Sequence, residues 1–427
     1  MKVWLSTIGQ RLDHADNTRT MLLARYLVER GHEVTLWTSA YDHIRKQWRR
    51  EYVETDADVW TMANGLHVRF LKGCGYRRNV GVRRLVDHIL AARDFRRQAR
   101  ALPTPDAVVA SLPDHITAAA MIDFARENAV VSFIDVRDKW PDIFIDYAPR
   151  PLKSFVRMGL VWESRRARRA LARADVLVAM MGSMLAWGLV KAGRLQRPTD
   201  QVFFLATMDQ AEESSAPLAD LTPQHRALMA QVAGKMVFTF VGTFNRTQHP
   251  SLILDACARL AGQPGFDAGK IAVLIGGDGV DAAAVDSKIA ALPFVHRLGW
   301  LKPEEMRAIL VRSDVGLLPM NFASPAFNNK AFAYLACGLP IINGALGDLA
   351  ELIAAHGVGI NVAAGSAPDF ADAMAALLRD PAEVRAMQDR TRRLYAANFE
   401  QAKTYSDYVD HIVAAVDATN PRHCQTG

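Results

Sequence analysis

Short apolar segments alternate with helix-forming segments twice along this chain of 427 residues, and no other feature restricts its possible folds as strongly. The first series opens with the apolar segment KVWLS (2–6), a polar loop, and a helix that Gly31 ends; the apolar segment EVTLWTS (33–39) follows. A strand, a helix and a second strand in this order predict a βαβ unit and a parallel sheet. Further strands of the first series are predicted at 106–112, 130–137 and 175–181.

A second alternating series follows residues 206–225, which are acidic, contain Ser and Pro, and indicate a linker. Its predicted strands are 236–242, 271–277, 295–300, 315–319, 339–343 and 359–361, and its predicted helices are 249–262, 302–313 and about 383–417. The sequence therefore predicts an α/β protein with two doubly wound, Rossmann-like domains, at residues 1–205 and 206–395. Two such domains facing each other place a ligand cleft between them, lined by the loops after the strands.

Composition excludes several classes of protein. Half of the residues are hydrophobic and 22% are charged, which excludes wholesale disorder. The four cysteines are scattered, which argues against a disulfide scaffold or a four-cysteine zinc site and favours a reducing compartment. No segment has the length of a membrane span, and the N-terminus turns polar too early for a signal peptide. We therefore expect a cytoplasmic location.

The positive charge of the chain belongs to its first half. Residues 1–210 hold 33 Lys and Arg against 23 Asp and Glu, a net +10, whereas the remainder holds 18 against 22, a net −4. Three clusters carry this charge, at 45–50, 77–100 and 165–173. Apolar residues at helical spacing accompany the second cluster and precede the third, a combination that suits an anionic lipid surface, although each cluster alone also fits a solvated helix face. Nucleic acid is the competing partner, but no nucleic-acid-binding motif supports it.

Two glycine-containing loops of the second half could hold phosphate. The loop VGTFNRTQHPS offers backbone amides together with Gly242, Thr243, Asn245 and Arg246 ahead of a helix. A helix N-terminus of this kind binds phosphate well, but a simple glycine turn explains the loop equally well.

The second loop, IGGDGVD (275–281), lacks the spacing of a dinucleotide fingerprint. Gly276 and Gly277, next to Asp278, would let a ligand approach the backbone, and a tight turn is the competing interpretation.

One lysine stands in a segment of the second half that is almost free of charge. Lys330 follows Asn329 and precedes the small and aromatic residues AFAYLACG. A lysine in such surroundings either extends its amine to solvent or holds an anion, and the sequence leaves both open.

Candidate polar residues in the first half also follow predicted strands. Gly9 and Gln10 come after the first strand, and Asp135, Arg137 and Asp138 close the strand VVSFIDVR. Carboxylates there would contact a sugar or an acceptor hydroxyl. The alternative is a helix cap or an Arg137–Asp138 ion pair.

Other chemistries find little support in the sequence. There is no HExxH, GxSxG or Walker A motif. Asp56-Ala57-Asp58 matches a metal-carboxylate pattern but stands in a polar stretch, and we expect a solvated loop and no metal site. His115 follows a strand and could face the cleft, but an ordinary histidine at a helix start is the simpler interpretation.

Taken in order, these segments resemble the GT-B glycosyltransferases of the family 4-like group. The resemblance covers most of the chain. In the first half it rests on GQRLDHADNTRTMLLARYLVERGHEVTLWTS and DVRDKWPD, and in the second on FVGTF, IGGDG, VHRLGWLKPEEM, SDVGLLP and NNKAFAYLACGLPII. It implies the GT-B fold, with a C-terminal helix (about 396–420) packing back on the first domain, and a retaining transfer from a nucleotide-sugar without a metal or other cofactor.

The resemblance also implies roles for individual residues. Arg246 and Lys330 would hold the diphosphate, helped by Thr243, Asn245 and Asn329. Gly242, Gly276, Gly277 and Asp278 would contact the nucleotide, and Trp300 and Leu301 would line the base. Asp138 and the Gly9–Gln10 loop would face the sugar and acceptor.

The chain departs from the pattern of many members at four places. Thr243 and Gln248 stand where many have an arginine and a lysine, and Pro325 and Ala333 stand where many have two glutamates, the second a ribose ligand. A subgroup with Asn-Lys before the aromatic helix is more similar, and there the lysine resembles the diphosphate partner. The departures imply weaker donor binding, a shifted donor choice or an inactive homologue.

The sequence is compatible with three functions. The first is a glycosyltransferase that acts on a saccharide or lipid-linked saccharide in surface polysaccharide assembly, in the cytoplasm or on the inner face of the plasma membrane. The second is a non-catalytic homologue that acts as a binding or scaffold partner. The third is a sugar-nucleotide epimerase, which would need no acceptor.

Overall fold

A computed structural model describes residues 1–9, 12, 18–55, 58–78, 81–206, 216–322 and 329–419. The chain forms two compact units. Unit 1 comprises Met1–Phe204 together with the chain from Ala402 onward, and unit 2 comprises Leu205–Gln401. Gln10, Asp56, Ala57 and Pro325 lie outside the described residues.

Unit 1 is built on an eight-stranded sheet with the order β10-β9-β8-β7-β1-β2-β6-β5. Its strands, with the separate β3–β4 pair, are β1 (Lys2–Ser6), β2 (Glu33–Ser39), β3 (Tyr41–Asp42), β4 (Gln47–Trp48), β5 (Val59–Thr61), β6 (His67–Leu71), β7 (Ala107–Leu112), β8 (Val131–Val136), β9 (Val176–Ala179) and β10 (Gln201–Val202). Every neighbouring pair in the sheet is parallel except β5 with β6. The parallel arrangement brings the loops after β8, β7, β1, β2 and β6 to one edge.

Helices cover both faces of this sheet. They are α1 (Arg19–Glu29), α2 (Arg50–Thr55), α3 (Val82–Ala99), α4 (His115–Glu127), α5 (Ile143–Tyr147), α6 (Lys153–Gly159), α7 (Val161–Arg173) and α8 (Gly182–Ala192), with α17 (Gln401–Thr419) from the end of the chain. Ile134 packs into the cluster with α3, α4 and α7, whereas the ring of its neighbour Phe133 lies 6.0 Å from that of His411 on α17. Because successive residues of a strand face opposite sides, α17 covers the other face.

Unit 2 contains a six-stranded, all-parallel sheet with the order β13-β12-β11-β14-β15-β16. Its strands are β11 (Met236–Val241), β12 (Ile271–Gly276), β13 (Val295–Gly299), β14 (Val315–Leu318), β15 (Ile341–Asn343) and β16 (Gly359–Asn361). Its helices are α9 (Pro223–Gln231), α10 (Ser251–Ala261), α11 (Ala282–Ile289), α12 (Pro303–Leu310), α13 (Asn329–Ala336), α14 (Asp348–His356), α15 (Ala367–Arg379) and α16 (Pro381–Asn398). Phe238 and Phe240 project from β11 into a core that α10 and α15 complete.

The helices carry a buried face and an exposed face, as expected for helices that pack on a sheet. In α7, for example, Ala167, Ala170 and Leu171 are buried while Arg165 and Arg168 are exposed. None of the helices within the described ranges is long and apolar enough to cross a bilayer.

Two predicted segments differ from the structure. The single helix predicted at about 383–417 is wrong, because α16 ends at Asn398 and α17 begins at Gln401. The fully buried Phe399, whose ring centroid lies 5.7 Å from that of Phe332, separates them. The predicted linker also ends early, since α9 begins at Pro223, where Thr222 accepts a hydrogen bond from the amide of His225 (3.2 Å).

Candidate functional site

The loops that follow β11 and β12 in unit 2 lie side by side. The amide of Gly242 donates to the carbonyl of Gly276 (3.1 Å), and the amide of Phe244 donates to the carbonyl of Asp278 (2.8 Å). The amide of Val280 returns a hydrogen bond to the carbonyl of Phe244 (3.1 Å). The two glycine-containing loops predicted from the sequence therefore form one surface at the carboxyl edge of the sheet.

Close contact with the first loop requires glycine at two positions of the second loop. Gly277 has φ +119°, and a Cβ there would lie 1.9 Å from the carbonyl oxygen of Gly242. Gly279 has φ +147°, and a Cβ there would lie 2.3 Å from the carbonyl oxygen of Phe244. Both positions combine a backbone conformation that side chains disfavour with a close backbone contact. These two glycines thus permit the close contact between the loops, whether or not they also contact a ligand.

The side chain of Lys330 ends beside this surface. Lys330 is the second residue of α13, and its Nζ lies 4.3 Å from the ring centroid of Phe240. A Cβ on Gly242 would lie 2.5 Å from that Nζ. The amine is shielded from solvent and has no hydrogen-bond partner among the described residues. Of the two interpretations of this lysine, extension of the amine into solvent is wrong.

Burial sets the protonation of this amine. Desolvation lowers the pKa of Lys330 from 10.5 to about 7, because burial penalises the charged ammonium. An anion beside Nζ would favour the charged form and raise that pKa again. The structure therefore places a buried amine in close contact with the loop at Gly242, and an anion that reached this amine would stabilise its charged form.

The remaining candidates in the first loop are placed differently. The side-chain oxygen of Asn245 accepts hydrogen bonds from the amides of Thr247 and Gln248 (both 2.9 Å), so it closes a turn of its own loop. Thr243 and Arg246 are exposed. The structure thus groups Gly242 with Lys330 and gives Asn245 a local structural contact.

The other predicted donor residues lie on neighbouring loops. Leu301 packs on the second loop, since a Cβ on Gly276 would lie 2.9 Å from Leu301 Cδ1. Trp300 is 70% exposed, and Asn329 and Asp278 are also exposed. The backbone amide of Gly279 donates to the Asp278 carboxylate (2.8 Å).

Arg297 on β13 is a contributor that sequence reasoning missed. Its guanidinium donates to the carbonyl of Gly277 (2.5 Å) and to Asp286 (3.0 Å), and it lies 5.0 Å from the ring centroid of Phe244. It therefore braces both loops at once. The signal in the sequence was a charged residue within the apolar segment VHRLGW that leads into the site.

Unit 1 places an ion-pair network at the corresponding edge of its own sheet. Asp135 is fully buried and accepts hydrogen bonds from Arg19 Nε (2.9 Å) and Arg137 Nε (2.8 Å). Arg19 also donates to the carbonyls of Phe203 and Phe204. Burial alone would raise the pKa of Asp135, but the charges of Arg19 and Arg137 hold it below its usual value. The proposed Arg137–Asp138 pair is wrong, since Arg137 contacts Asp135 and Thr20 instead.

Asp138 lies beside this network without taking part in it. Its carboxylate accepts a hydrogen bond from the amide of Lys139 (2.7 Å), and burial raises its pKa. On the adjacent loops, a Cβ on Gly9 would lie 3.0 Å from the ring of His43. His115 is the first residue of α4, and its Nε2 also contacts the carboxylate of Glu163 (2.6 Å).

Residues 235–380 match the sequence model of the family described as Glycosyl transferases group 1. The D-inositol 3-phosphate glycosyltransferase of Arthrobacter sp. is 28% identical over 208 residues, which cover 46% of this chain and 46% of that protein. The enzyme of the same name from Rhodococcus opacus is 27% identical and covers 44% and 45%. The chain thus spans less than half the length of these curated relatives.

Solved structures share the fold over nearly the whole chain. Sucrose-phosphate synthase from Thermosynechococcus elongatus has a TM-score of 0.70 at 15% identity and covers 98% of this chain and 99% of that one. The Anabaena protein HepE in complex with UDP-glucose has a TM-score of 0.61 at 13% identity, with coverage of 97% and 100%. At this identity the likeness concerns the fold. The predicted fold class, GT-B with two Rossmann-like domains, is confirmed.

Proposed function

We propose that this protein is a glycosyltransferase that takes a sugar from a nucleotide diphosphate donor bound to unit 2. One observation carries the proposal: the buried Lys330 amine lies beside Gly242, within the segment that matches a glycosyltransferase family, and has no hydrogen-bond partner among the described residues. A diphosphate would supply the missing anionic partner. The UDP-glucose held by Anabaena HepE supports a uridine nucleotide as the first donor to test.

The proposed chemistry uses positive charge where the leaving group develops. When the bond between the sugar and the diphosphate breaks, negative charge accumulates on the departing phosphate oxygens. A desolvated ammonium at Lys330 stabilises that charge far more strongly than a solvated one. Arg246, exposed in the first loop, would add a second cation on donor binding. We propose that no metal is needed and that the anomeric configuration is retained, in line with the resemblance of the loop motifs.

We propose that unit 1 receives the acceptor, through Asp138 and the loop at Gly9. The raised pKa of the half-buried Asp138 suits a carboxyl group that exchanges a proton with a hydroxyl. The curated relatives are named for an acceptor that carries a phosphate. The excess of Lys and Arg in the first half supports an anionic acceptor, for which we propose a saccharide or lipid-linked saccharide of surface polysaccharide assembly. We place the protein in the cytoplasm or on the inner face of the plasma membrane.

The test is a binding experiment on two variants of one residue. Lys330→Met removes the charge and keeps the length of the side chain, whereas Lys330→Arg keeps a charge. With UDP and UDP-glucose we expect a clear increase in melting temperature for the wild type, none for Lys330→Met and a reduced one for Lys330→Arg.

The melting temperature without ligand is the control for this experiment. Lys330→Met should be at least as stable as the wild type near pH 7, because it replaces a buried amine that lacks a partner with an apolar group. Undiminished ligand binding by a folded Lys330→Met variant would overturn the donor site.

A specific observation also favours a second candidate, a non-catalytic homologue. Ala333 is 5% exposed on α13, at the place where the resembling family carries its ribose carboxylate. Such a protein would bind nucleotide weakly or not at all and would serve as a partner of an active enzyme. The two candidates can be separated by incubating the protein with donor and lipid-extract acceptors and analysing the mixture by mass spectrometry. A glycosylated product would exclude the non-catalytic homologue.

A further inference from the structure

We propose that one face of unit 1 docks on an anionic lipid bilayer. The face runs along α6 and α7 and consists of Phe155, Met158, Trp162, Arg165 and Arg169, which we call the α6–α7 face. Phe155 and Met158 are three positions apart on α6, and Trp162, Arg165 and Arg169 are spaced by three and four positions on α7, the spacing that places side chains on one side of each helix. The stripe is therefore apolar at its start and basic at its end.

The apolar part of this face is not used in the packing of unit 1. Phe155 and Met158 are each 68% exposed and Trp162 is 72% exposed. The core contacts of α7 come from its opposite side, where Ala167 and Ala170 are buried. Three large apolar side chains in succession on one exposed face form a patch that water solvates poorly, which is typical of an interaction surface.

A basic groove adjoins the face. It has a volume of about 460 Å³ between α3, α4 and α7. Its floor is apolar, and its lining includes five arginines but only one acidic residue, Asp123. The arginines are Arg93, Arg96, Arg165, Arg166 and Arg169. Asp123 contacts Arg96 (3.3 Å), Arg169 (3.4 Å) and, outside the groove, Arg173 (2.6 Å), while Arg166 contacts Glu163 (3.0 Å). The five groove arginines still outnumber these two carboxylates, so the groove keeps a net positive charge.

This combination of groups favours a bilayer over a soluble polyanion. Nucleic acid or an acidic peptide would account for the arginines but not for exposed Phe155 and Met158. At a bilayer surface, apolar side chains enter the acyl boundary, tryptophan lies at headgroup depth and arginines contact lipid phosphates. The guanidinium of Arg165 lies 5.3 Å from the Trp162 ring centroid, which places a phosphate ligand next to an interfacial anchor.

The face also adjoins the candidate acceptor edge. Glu163, the neighbour of Trp162, contacts His115 Nε2 (2.6 Å), and the His115 ring lies 6.4 Å from that of Trp140 in the loop after β8. Docking would therefore bring that edge close to the headgroups, where a lipid-linked acceptor presents its saccharide. This orientation rests on the proposed function, whereas the docking itself does not.

The experiment is sedimentation of the full chain with vesicles of phosphatidylcholine alone or with about a third of phosphatidylglycerol. We expect binding to the anionic vesicles only, weakened by salt. The variant Phe155→Ser/Met158→Ser/Trp162→Ser should lose at least about tenfold in partitioning, and Arg165→Gln/Arg169→Gln should lose about tenfold. Brominated lipids should quench the fluorescence of the wild type, and Trp162→Phe should remove that quenching.

Matched controls come from equally exposed positions elsewhere. Val190→Ser/Leu195→Ser alters two apolar residues that are 82% and 90% exposed, and Arg385→Gln/Arg393→Gln alters two exposed arginines of unit 2. Both controls should bind vesicles like the wild type, and all variants should keep their nucleotide response. The proposal is overturned if the wild type does not bind anionic vesicles, or if the triple variant binds as well as the controls. Vesicle binding without a nucleotide response would instead count against the donor site alone.

Discussion

At the carboxyl edge of the unit 1 sheet the buried charges are paired with one another, whereas at the same edge of the unit 2 sheet the Lys330 amine has no partner in the part of the chain that the structure describes. The strands pair in parallel in both sheets, except β5 with β6, and both edges are made of loops that follow strands. In unit 1, Asp135 is neutralised by Arg19 and Arg137. In unit 2, the Lys330 amine lies beside Gly242 in the first of two loops that backbone hydrogen bonds join.

The difference separates a charge that the fold itself neutralises from a charge that the described residues leave without a partner. A buried ion pair that is internally satisfied holds loops in place, and breaking it leaves an uncompensated charge. A buried amine without a partner destabilises the free protein, and a ligand relieves that cost. The same topology thus pairs the buried charges of unit 1 with one another and leaves the Lys330 amine of unit 2 without a partner among the described residues.

The largest expected effect breaks the network of unit 1. Asp135→Asn would leave Arg19 buried without its carboxylate, and we expect the free energy of unfolding to fall by about 3–5 kcal/mol in urea denaturation. The control variant Asp410→Asn removes the exposed ion-pair partner of Arg30 in the same unit. It should lower the free energy of unfolding by no more than about 1 kcal/mol. Equal losses for the two variants would show that Asp135 is not a structural anchor.

A smaller loss is expected when the two loops of unit 2 are pushed apart. Gly277→Ala would place a methyl group against the carbonyl of Gly242 and should lower stability by about 1–3 kcal/mol more than Gly265→Ala. Gly265 is the matched control, because it also has a positive φ (+78°) but nothing within 4 Å of its Cβ position. Thermal unfolding measures both, and nucleotide binding should suffer only in Gly277→Ala. Similar behaviour of the two variants would contradict the loop contact.

The unpaired amine predicts a dependence of donor binding on pH. Lys330, with a pKa of about 7, loses its charge as the pH rises through that value, so the affinity for UDP-glucose should fall about tenfold between pH 6 and pH 8. Lys330→Arg stays charged and should show a flat profile in calorimetric titrations. A flat profile for the wild type would argue against Lys330 as the diphosphate partner.

The same residue predicts the sign of a stability change. Between pH 7 and 10.5 the unfolded chain binds a proton at Lys330 that the folded chain does not, so this residue makes folding more favourable as pH rises through that window. The stability advantage of Lys330→Met over the wild type should therefore be full below pH 7 and vanish above about pH 10. If the stability advantage of Lys330→Met over the wild type does not change with pH, burial does not lower the pKa of Lys330 in the folded protein.

The smallest expected effect concerns Arg297, which donates a hydrogen bond to the second loop. Arg297→Gln would remove the charge-assisted hydrogen bond to the Gly277 carbonyl. We expect donor affinity to fall only about threefold with no change in its pH midpoint, less than the about 1.5–3 kcal/mol of such a bond, because Arg297 would affect the ligand only through the loop. Lys288→Gln alters a nearby exposed ion pair with Asp255 and should leave affinity unchanged. A shifted pH midpoint in Arg297→Gln would mean that Arg297 acts on the amine directly.

Much of the fold could be predicted from the sequence because its signals are local. The strand EVTLWTS was predicted with the bounds it has, and the apolar runs before Gly242 and Gly277 were identified as β11 and β12. The single helix predicted for about 383–417 is wrong because the helical pattern of the sequence continues through Phe399, whereas in the structure the buried ring of Phe399 packs against Phe332 where α16 ends.

The candidate site could be predicted only in part, because its residues act through distant partners. Lys330 was noticed because it stands alone in an apolar segment, but whether its amine faced solvent or protein depended on packing against Phe240, which lies far away in sequence. Arg297 was missed because its contacts to Gly277 and Phe244 arise from strand pairing. Asn245 was assigned to a ligand, whereas its oxygen closes a turn two and three residues away.

The sequence by itself determined the alternation of strands and helices, the places of the loops and the concentration of positive charge in the first half, because hydrophobic periodicity and composition are properties of the chain alone. Only the tertiary structure decided which charges are paired. It placed Asp135 between Arg19 and Arg137 and left Lys330 beside Gly242 without a partner among the described residues. The physical reason is that Arg19 and Asp135, like Gly242 and Lys330, are more than 80 positions apart in sequence and meet only when the parallel strands align their carboxyl ends.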